Sequence, residues 1–125
     1  MPFLPYSIEL HDSLMSDIEC IEQDYVVRLR PAYVHQDGKG WSQDIDLVFL
    51  DAQITQQCPS LPARIADGSM KTRAGPYHNL LALPLTELGT LVFTLEFFDE
   101  SAMEIKAEGV HAVIQGPMTF VEELE

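Results

Sequence analysis

Residue types that bind metals or catalyse hydrolysis are densest in the segment PAYVHQDGKGWSQDIDL, which follows Arg30. It contains His35, Asp44, Asp46 and the only tryptophan of the chain, Trp41. Asp44 and Asp46 are two residues apart, so on a strand their carboxylates share a face. Zinc requires three or four N, S or O ligands that converge within about 2.3 Å. The segment is therefore where a metal site would lie, although we favour the simpler interpretation of a solvated acidic strand end.

A second group of reactive residue types is His11-Asp12-Ser13. Consecutive residues cannot point at one another as a catalytic triad requires, so we interpret them as a polar turn. The motifs G-x-S-x-G, H-E-x-x-H, C-x-x-C and the glycine-rich phosphate loop are absent from the sequence. A small hydrolase or metal-dependent enzyme is therefore the alternative function. We predict no catalytic residue, metal ligand or cofactor, and the alternative would use His11, His35, Asp44 and Asp46.

Trp41 carries the strongest indication of a ligand. A tryptophan beside Gly and among Asp, Ser and Gln is typical of residues that hold a sugar ring or a peptide. The competing interpretation is a lid over the end of the fold, which we favour because large aromatic side chains are usually mostly buried. We predict a structural hairpin turn with its tip at Gly38–Gly40 and Trp41 at the rim. A small-molecule site would lie beside it, with the candidate ligand-binding residues His35, Trp41, Gln43 and Asp44.

Charge and length limit the class of protein. The chain has 125 residues, of which 46% are apolar, and this predicts a single folded domain over residues 1–125. Seven Lys and Arg against twenty Asp and Glu give 7 − 20 = −13. Such a surface repels phosphate backbones and anionic lipids, so we expect neither nucleic-acid nor membrane binding.

Cysteine usage and the first residues indicate the compartment. Cys20 and Cys58 are too few for a disulfide framework, and we expect two buried free thiols. The stretch MPFLPYSIEL has neither the basic nor the long apolar region of a signal peptide. We therefore expect a cytoplasmic protein.

Apolar residues alternate with polar ones along most of the chain. This period of two predicts half-buried antiparallel strands. It places on buried faces Tyr25, Val27, Leu29 and Tyr33, then Leu91, Phe93, Leu95 and Phe97, then Met103, Ile105 and Ala107. We predict turns at Asp67-Gly68 and at residues 99–101.

Three segments interrupt this pattern. The apolar face changes from odd to even positions at Gly109, which predicts a β-bulge within one bent strand over 102–115. A similar change along 44–54 indicates a doubly buried strand or a bulge near Asp51. Residues 13–22 fit a helix or a strand, and we favour a strand, joined to the next by a tight hairpin at 23–24.

These patterns predict an all-β fold, an antiparallel β-sandwich or flattened barrel of about eight or nine strands with little helix. The runs His11-Asp12-Ser13, PAYVH (31–35) and GW-x-QD (40–44) resemble a group of small bacterial all-β proteins with no assigned activity. The resemblance implies a β fold and carries no catalytic residue over.

The function that these observations favour is a non-catalytic, acidic binding or protein-interaction module. Its expected partner is another protein, including a second copy in a homodimer, because strand edges are available for pairing. Apolar residues on nominally outer faces also exceed what a monomer needs: Val92, Phe98, Val113 and Val121.

Overall fold

The computed structural model describes residues 6–56, 60–73 and 75–123, which contain eleven strands and no helix. No helix in these ranges is therefore long and apolar enough to cross a membrane. The strands are β1 (Ser7–Glu9), β2 (Leu14–Ile21), β3 (Asp24–Gln36), β4 (Lys39–Leu50), β5 (Gln53–Gln56), β6 (Ala63–Thr72), β7 (Gly75–His78), β8 (Leu80–Ala82), β9 (Thr86–Phe97), β10 (Ala102–Ile114) and β11 (Thr119–Glu123).

Six strands pair in a closed circuit, in the order β2, β3, β4, β10, β9, β6 and back to β2. All pairs are antiparallel, and the last contact, β6 with β2, consists of only two residue pairs. The other strands extend this circuit: β1 and β8 beside β3, β11 beside β4, β5 beside β10 and β7 beside β6. The predicted all-β antiparallel fold class is confirmed. Eleven strands replace the expected eight or nine because four have only three or four residues, too few to show alternation.

The core lies inside the circuit and is built from the alternating faces. Leu91, Phe93 and Leu95 are at most 1% exposed, and Met103 and Ile105 are fully buried. The rings of Phe49 and Phe93 pack with their centroids 4.9 Å apart. The buried faces predicted for β9 and β10 are therefore confirmed.

The hairpin of β3 and β4 turns at Asp37 and Gly38 rather than over Gly38–Gly40. Both turn residues have positive φ, 57° and 72°, as a two-residue turn between twisted strands requires. Gly40 already lies in β4, opposite His35. A Cβ atom there would lie 2.7 Å from Cζ of Tyr33, so Gly40 allows the Tyr33 ring to cross the strand.

Asp67-Gly68, predicted as a turn, lies inside β6, and this prediction was wrong. The pairing of β6 with β9 shifts register between Ile65 and Asp67, and β6 continues to Thr72. A Cβ atom on Gly68 would lie 2.7 Å from Leu10 and 2.8 Å from Leu95. The glycine is thus required by close packing between two leucines and not by a turn.

The segment over 13–22, for which the sequence allowed a helix or a strand, forms a strand. Residues 14–21 form β2 and not a helix, and the hairpin to β3 turns at Glu22 and Gln23, one residue earlier than predicted. Cys20 is exposed, contrary to expectation, because it lies near the end of this hairpin, opposite Tyr25. Cys58 lies outside the described residues.

The phase change near Asp51 marks the end of a strand and not a bulge within one. β4 ends at Leu50, Asp51 has a φ of 47°, and β5 begins at Gln53. β5 then pairs with β10 along the same edge that β4 occupies farther along β10. The apolar face changes because the chain leaves one strand and begins another.

Gly109 lies at a confirmed irregularity, where the pairing of β10 with β9 shifts between Ala107 and Gly109. A Cβ atom would lie 3.1 Å from the Glu87 carbonyl oxygen and 3.2 Å from Leu50. We expect Gly109→Val to lower the free energy of unfolding by about 1–3 kcal/mol, because a backbone oxygen cannot move aside easily. Urea denaturation measures the change. Gly116→Ala, which would meet no atom within 4 Å, is the control. Equal stability of Gly109→Val and the wild type would contradict the prediction.

Candidate functional site

The four residues predicted to bind a ligand do not meet in one place. Gln43 is buried and satisfied: the Tyr6 hydroxyl donates to its Oε1 at 2.5 Å, and its Nε2 donates to the Gly116 carbonyl at 2.7 Å. Trp41 is half-buried against the core, and its Nε1 donates to the Gln36 carbonyl at 3.1 Å. Both side chains therefore make structural contacts where the sequence suggested ligand contacts.

Asp44 and Asp46 share a face of β4, as predicted, but this face holds two arginines. Nη2 of Arg30 lies 2.7 Å from Oδ1 of the buried Asp46, and Nε of Arg28 lies 3.9 Å from its Oδ2. The exposed Asp44 carboxylate lies 4.0 Å from Arg30. These carboxylates neutralise cations of the neighbouring strand, so the enzyme constellation of His11, His35, Asp44 and Asp46 is divided between two places.

A small cavity lies beside Gln43 and Asp44, between Pro31 on β3 and Gly116 and Pro117 after β10. Its volume is 240 Å³, below the range of about 300–1,000 Å³ typical of sites for small ligands. It is no enclosed pocket for a drug-sized molecule.

The two candidate histidines, His11 and His35, converge on a carboxylate that sequence reasoning did not select, that of Glu9. Nε2 of His35 lies 2.6 Å from Oε1 of Glu9, and Nδ1 of His11 lies 3.5 Å from Oε2. Oδ2 of Asp12 lies 3.1 Å from the same His11 nitrogen. We call these four residues the Glu9 cluster.

The pairing of β1 with β3 creates the cluster. Glu9 lies opposite Tyr33, and His35 follows two residues later on the same face. Glu9 and His11 are themselves two residues apart in SIELHDS, a spacing that places side chains on one face of a strand. This spacing was the only feature of the sequence that could have indicated the cluster, and it relates Glu9 to His11 but not to His35.

The turn that carries His11 and Asp12 is held from several sides. The backbone N–H groups of Leu10 and His11 donate to the carbonyl and side-chain oxygens of Asn79, at 2.7 and 2.6 Å. The buried Ser13 hydroxyl donates to the Glu9 carbonyl at 2.7 Å and accepts from the Tyr33 N–H at 2.9 Å. The side chains of His11 and Asp12 therefore extend from a fixed backbone.

Negative charge accumulates around Tyr33, at the edge of the cluster. Its hydroxyl donates to Oε2 of Glu122 on β11. Burial, the hydrogen bond to Glu122, and the charges of Glu122, Glu9 and Asp12 together raise the pKa of the Tyr33 phenol. Tyr33 consequently remains a hydrogen-bond donor even at a pH where an ordinary tyrosine would ionise.

A second surface lies where β10 and β11 follow the same edge of β4. We call its side chains, Trp41, Ile114, Phe120 and Val121, the apolar strip. Ile114, Phe120 and Val121 are 43%, 51% and 48% exposed, and the rings of Trp41 and Phe120 make an edge contact at 5.6 Å. β9 pairs with β10 only as far as His111, and within the described ranges no strand covers the outer edge of β11.

Comparison of the chain with protein-family models, with curated proteins and with solved structures finds no match in any of the three.

Proposed function

We propose that this protein is a non-catalytic, cytoplasmic interaction module that binds an extended, basic segment of another protein at the apolar strip. The observation that carries the proposal is the half-exposure of core-facing side chains. Ile114 lies opposite the fully buried Ile45, and Phe120 lies opposite Trp41, which packs against the core. Residues directly opposite in antiparallel strands share a face, so Ile114 and Phe120 point toward the core layer but are not covered.

Charge favours a basic partner. The chain carries a net charge of −13, and Glu122 and Glu123 follow the strip on β11. A segment that alternates apolar residues with Lys or Arg would cover the apolar side chains and offset this charge. The exposed thiol of Cys20 fits a reducing compartment.

Charge disfavours a second copy as the occupant. Two chains that each carry a net charge of −13 repel one another, whereas a basic segment is attracted. Phe98 and Val113, two of the apolar residues predicted on outer faces, also lie near opposite ends of the β9–β10 hairpin and so do not form one contact surface.

A labelled peptide of alternating valine and lysine tests the proposal by fluorescence anisotropy. We expect saturable binding that weakens when salt rises from about 0.1 to about 1 M and the Debye length falls from about 10 to about 3 Å. A peptide of alternating valine and glutamate is the negative control and should not bind, because its charge has the same sign as that of the protein. Ile114→Ser should weaken binding about tenfold or more through the loss of buried apolar area.

Ile21→Ser is the control variant, because Ile21 is 47% exposed but lies at the far end of the β2–β3 hairpin. Equal effects of the two serine variants, or no binding of the lysine peptide, would refute the proposal. Sedimentation at both salt concentrations tests the homodimer. A dimer that high salt strengthens and that Ile114→Ser abolishes would assign the strip to a second copy instead.

A further inference from the structure

We infer that the Glu9 cluster is a binding site for a divalent transition-metal ion, with Glu9, His11 and Asp12 as ligands and His35 as a positioning residue. This inference is independent of the proposed partner binding at the apolar strip. One atom from each of the three ligand residues lies within 4.8 Å of the other two.

The two distances from His11 to the carboxylates are close to those of tetrahedral coordination. Bonds of about 2.0–2.2 Å from zinc to nitrogen and oxygen place neighbouring ligands about 3.3–3.6 Å apart. Nδ1 of His11 lies 3.5 Å from Oε2 of Glu9 and 3.1 Å from Oδ2 of Asp12. Three protein donors leave a fourth tetrahedral position open.

His35 supplies the second, independent observation. Its side chain is only 9% exposed and its Nε2 is directed at Glu9. Its Nδ1, on the other side of the ring, has no hydrogen-bond partner among the described residues, so the contact with Glu9 is what holds this buried imidazole. Donation from Nε2 to Oε1 fixes the Glu9 carboxylate and leaves Oε2 directed at His11, as hydrogen bonds to ligating carboxylates do in metal sites.

The surroundings of the cluster are anionic. Among the residues that the structure describes, no Lys or Arg side chain forms an ion pair with Glu9 or Asp12. Arg64 lies beside the cluster, but its Nη1 donates to the Asp12 backbone carbonyl at 3.3 Å and forms no ion pair with the Asp12 carboxylate. A bound divalent ion would therefore offset the negative charge of Glu9 and Asp12, which no Lys or Arg of the described residues neutralises.

The donor set selects the class of ion. Carboxylate oxygens alone suit calcium and magnesium, whereas an imidazole nitrogen favours zinc and its transition-metal neighbours. An acidic surface that collected cations without a site would bind calcium as readily as zinc. Competition between the two ions thus separates a built site from general attraction.

Titration calorimetry of the whole chain with Zn²⁺ in a large excess of Ca²⁺ tests the inference. We expect one zinc ion per chain, and His11→Ala should weaken binding about tenfold or more. His35→Leu should weaken it about tenfold, while His35→Gln, which keeps a donor near the position of Nε2, should retain most of the affinity.

The exposed pair of His78 and Asp67 provides the matched control. Its atoms Nε2 and Oδ1 also lie 3.1 Å apart, but it has no third ligand within the described ranges, and His78→Ala should leave zinc binding unchanged. Circular dichroism verifies that each variant is folded. Displacement of zinc by calcium, no saturable binding, or equal affinity in wild type and His11→Ala would overturn the inference.

Discussion

Phe93→Ala is expected to lower the free energy of unfolding by about 3–5 kcal/mol, the range for removing a buried aromatic side chain. Phe93 is fully buried and packs against Phe49, which is also fully buried. Because β9 and its neighbours are paired on both edges there, the structure cannot collapse easily into the space that the ring leaves. Urea denaturation followed by circular dichroism measures the loss.

Phe98→Ala is the matched control for this prediction. Phe98 is five residues farther along the chain and 57% exposed, and its ring makes an edge contact with His11. Its removal should change the free energy of unfolding by no more than about 1 kcal/mol. Similar losses for the two variants would show that β9 does not face the core as described.

Asp46→Ala is expected to lower the free energy of unfolding by about 2–3 kcal/mol. Asp46 is 6% exposed, lies 2.7 Å from Arg30 and accepts a hydrogen bond from Gln115 at 3.1 Å. Removing one partner of a largely buried ion pair leaves the charge of the other partner, here Arg30, poorly compensated. Arg28 keeps its contact with Glu19 at 2.8 Å, so the loss stays below that of a fully buried pair.

Asp44→Ala tests whether burial decides this effect. Asp44 is on the same face of β4 but is exposed and 4.0 Å from Arg30. Its replacement should cost no more than about 0.5 kcal/mol, and this small contribution should vanish in high salt. A loss for Asp46→Ala as small as that for Asp44→Ala would contradict the buried ion pair.

The predictions that succeeded depend on neighbouring residues alone. Alternation along β9 identified Leu91, Phe93 and Leu95 as core because strand side chains change face at every residue. The register change at Gly109 was equally visible, since a bulge shifts the apolar face locally.

The predictions that failed depend on distant residues. Asp37-Gly38 and Asp67-Gly68 are the same dipeptide, but only the first forms a turn. The second is held in a strand by packing against Leu10 and Leu95, from two other parts of the chain. No local pattern contains that information.

The Glu9 cluster was only partly predictable, because it too depends on residues that are distant in the sequence. His11 and His35 attracted attention by residue type, but they come together only because β1 pairs with β3. β1 has three residues, too few to reveal a strand by alternation, so the register that brings Glu9 to His35 was not predictable. Asp44 and Asp46 were assigned to the wrong partners because the arginines lie on the neighbouring strand.

The short pairing of β2 with β6 makes one seam of the circuit weaker than the rest. Two residue pairs join these strands, and the backbone bonds of Asp12 and Ser13 with Ile65 extend the contact only to the end of the adjoining turn. Because few backbone hydrogen bonds hold this junction, we expect local opening to begin here, at a free energy below that of global unfolding. The same turn carries His11 and Asp12. A metal ion bound there would therefore stabilise the contact between β2 and β6 and raise the free energy needed to separate the two strands.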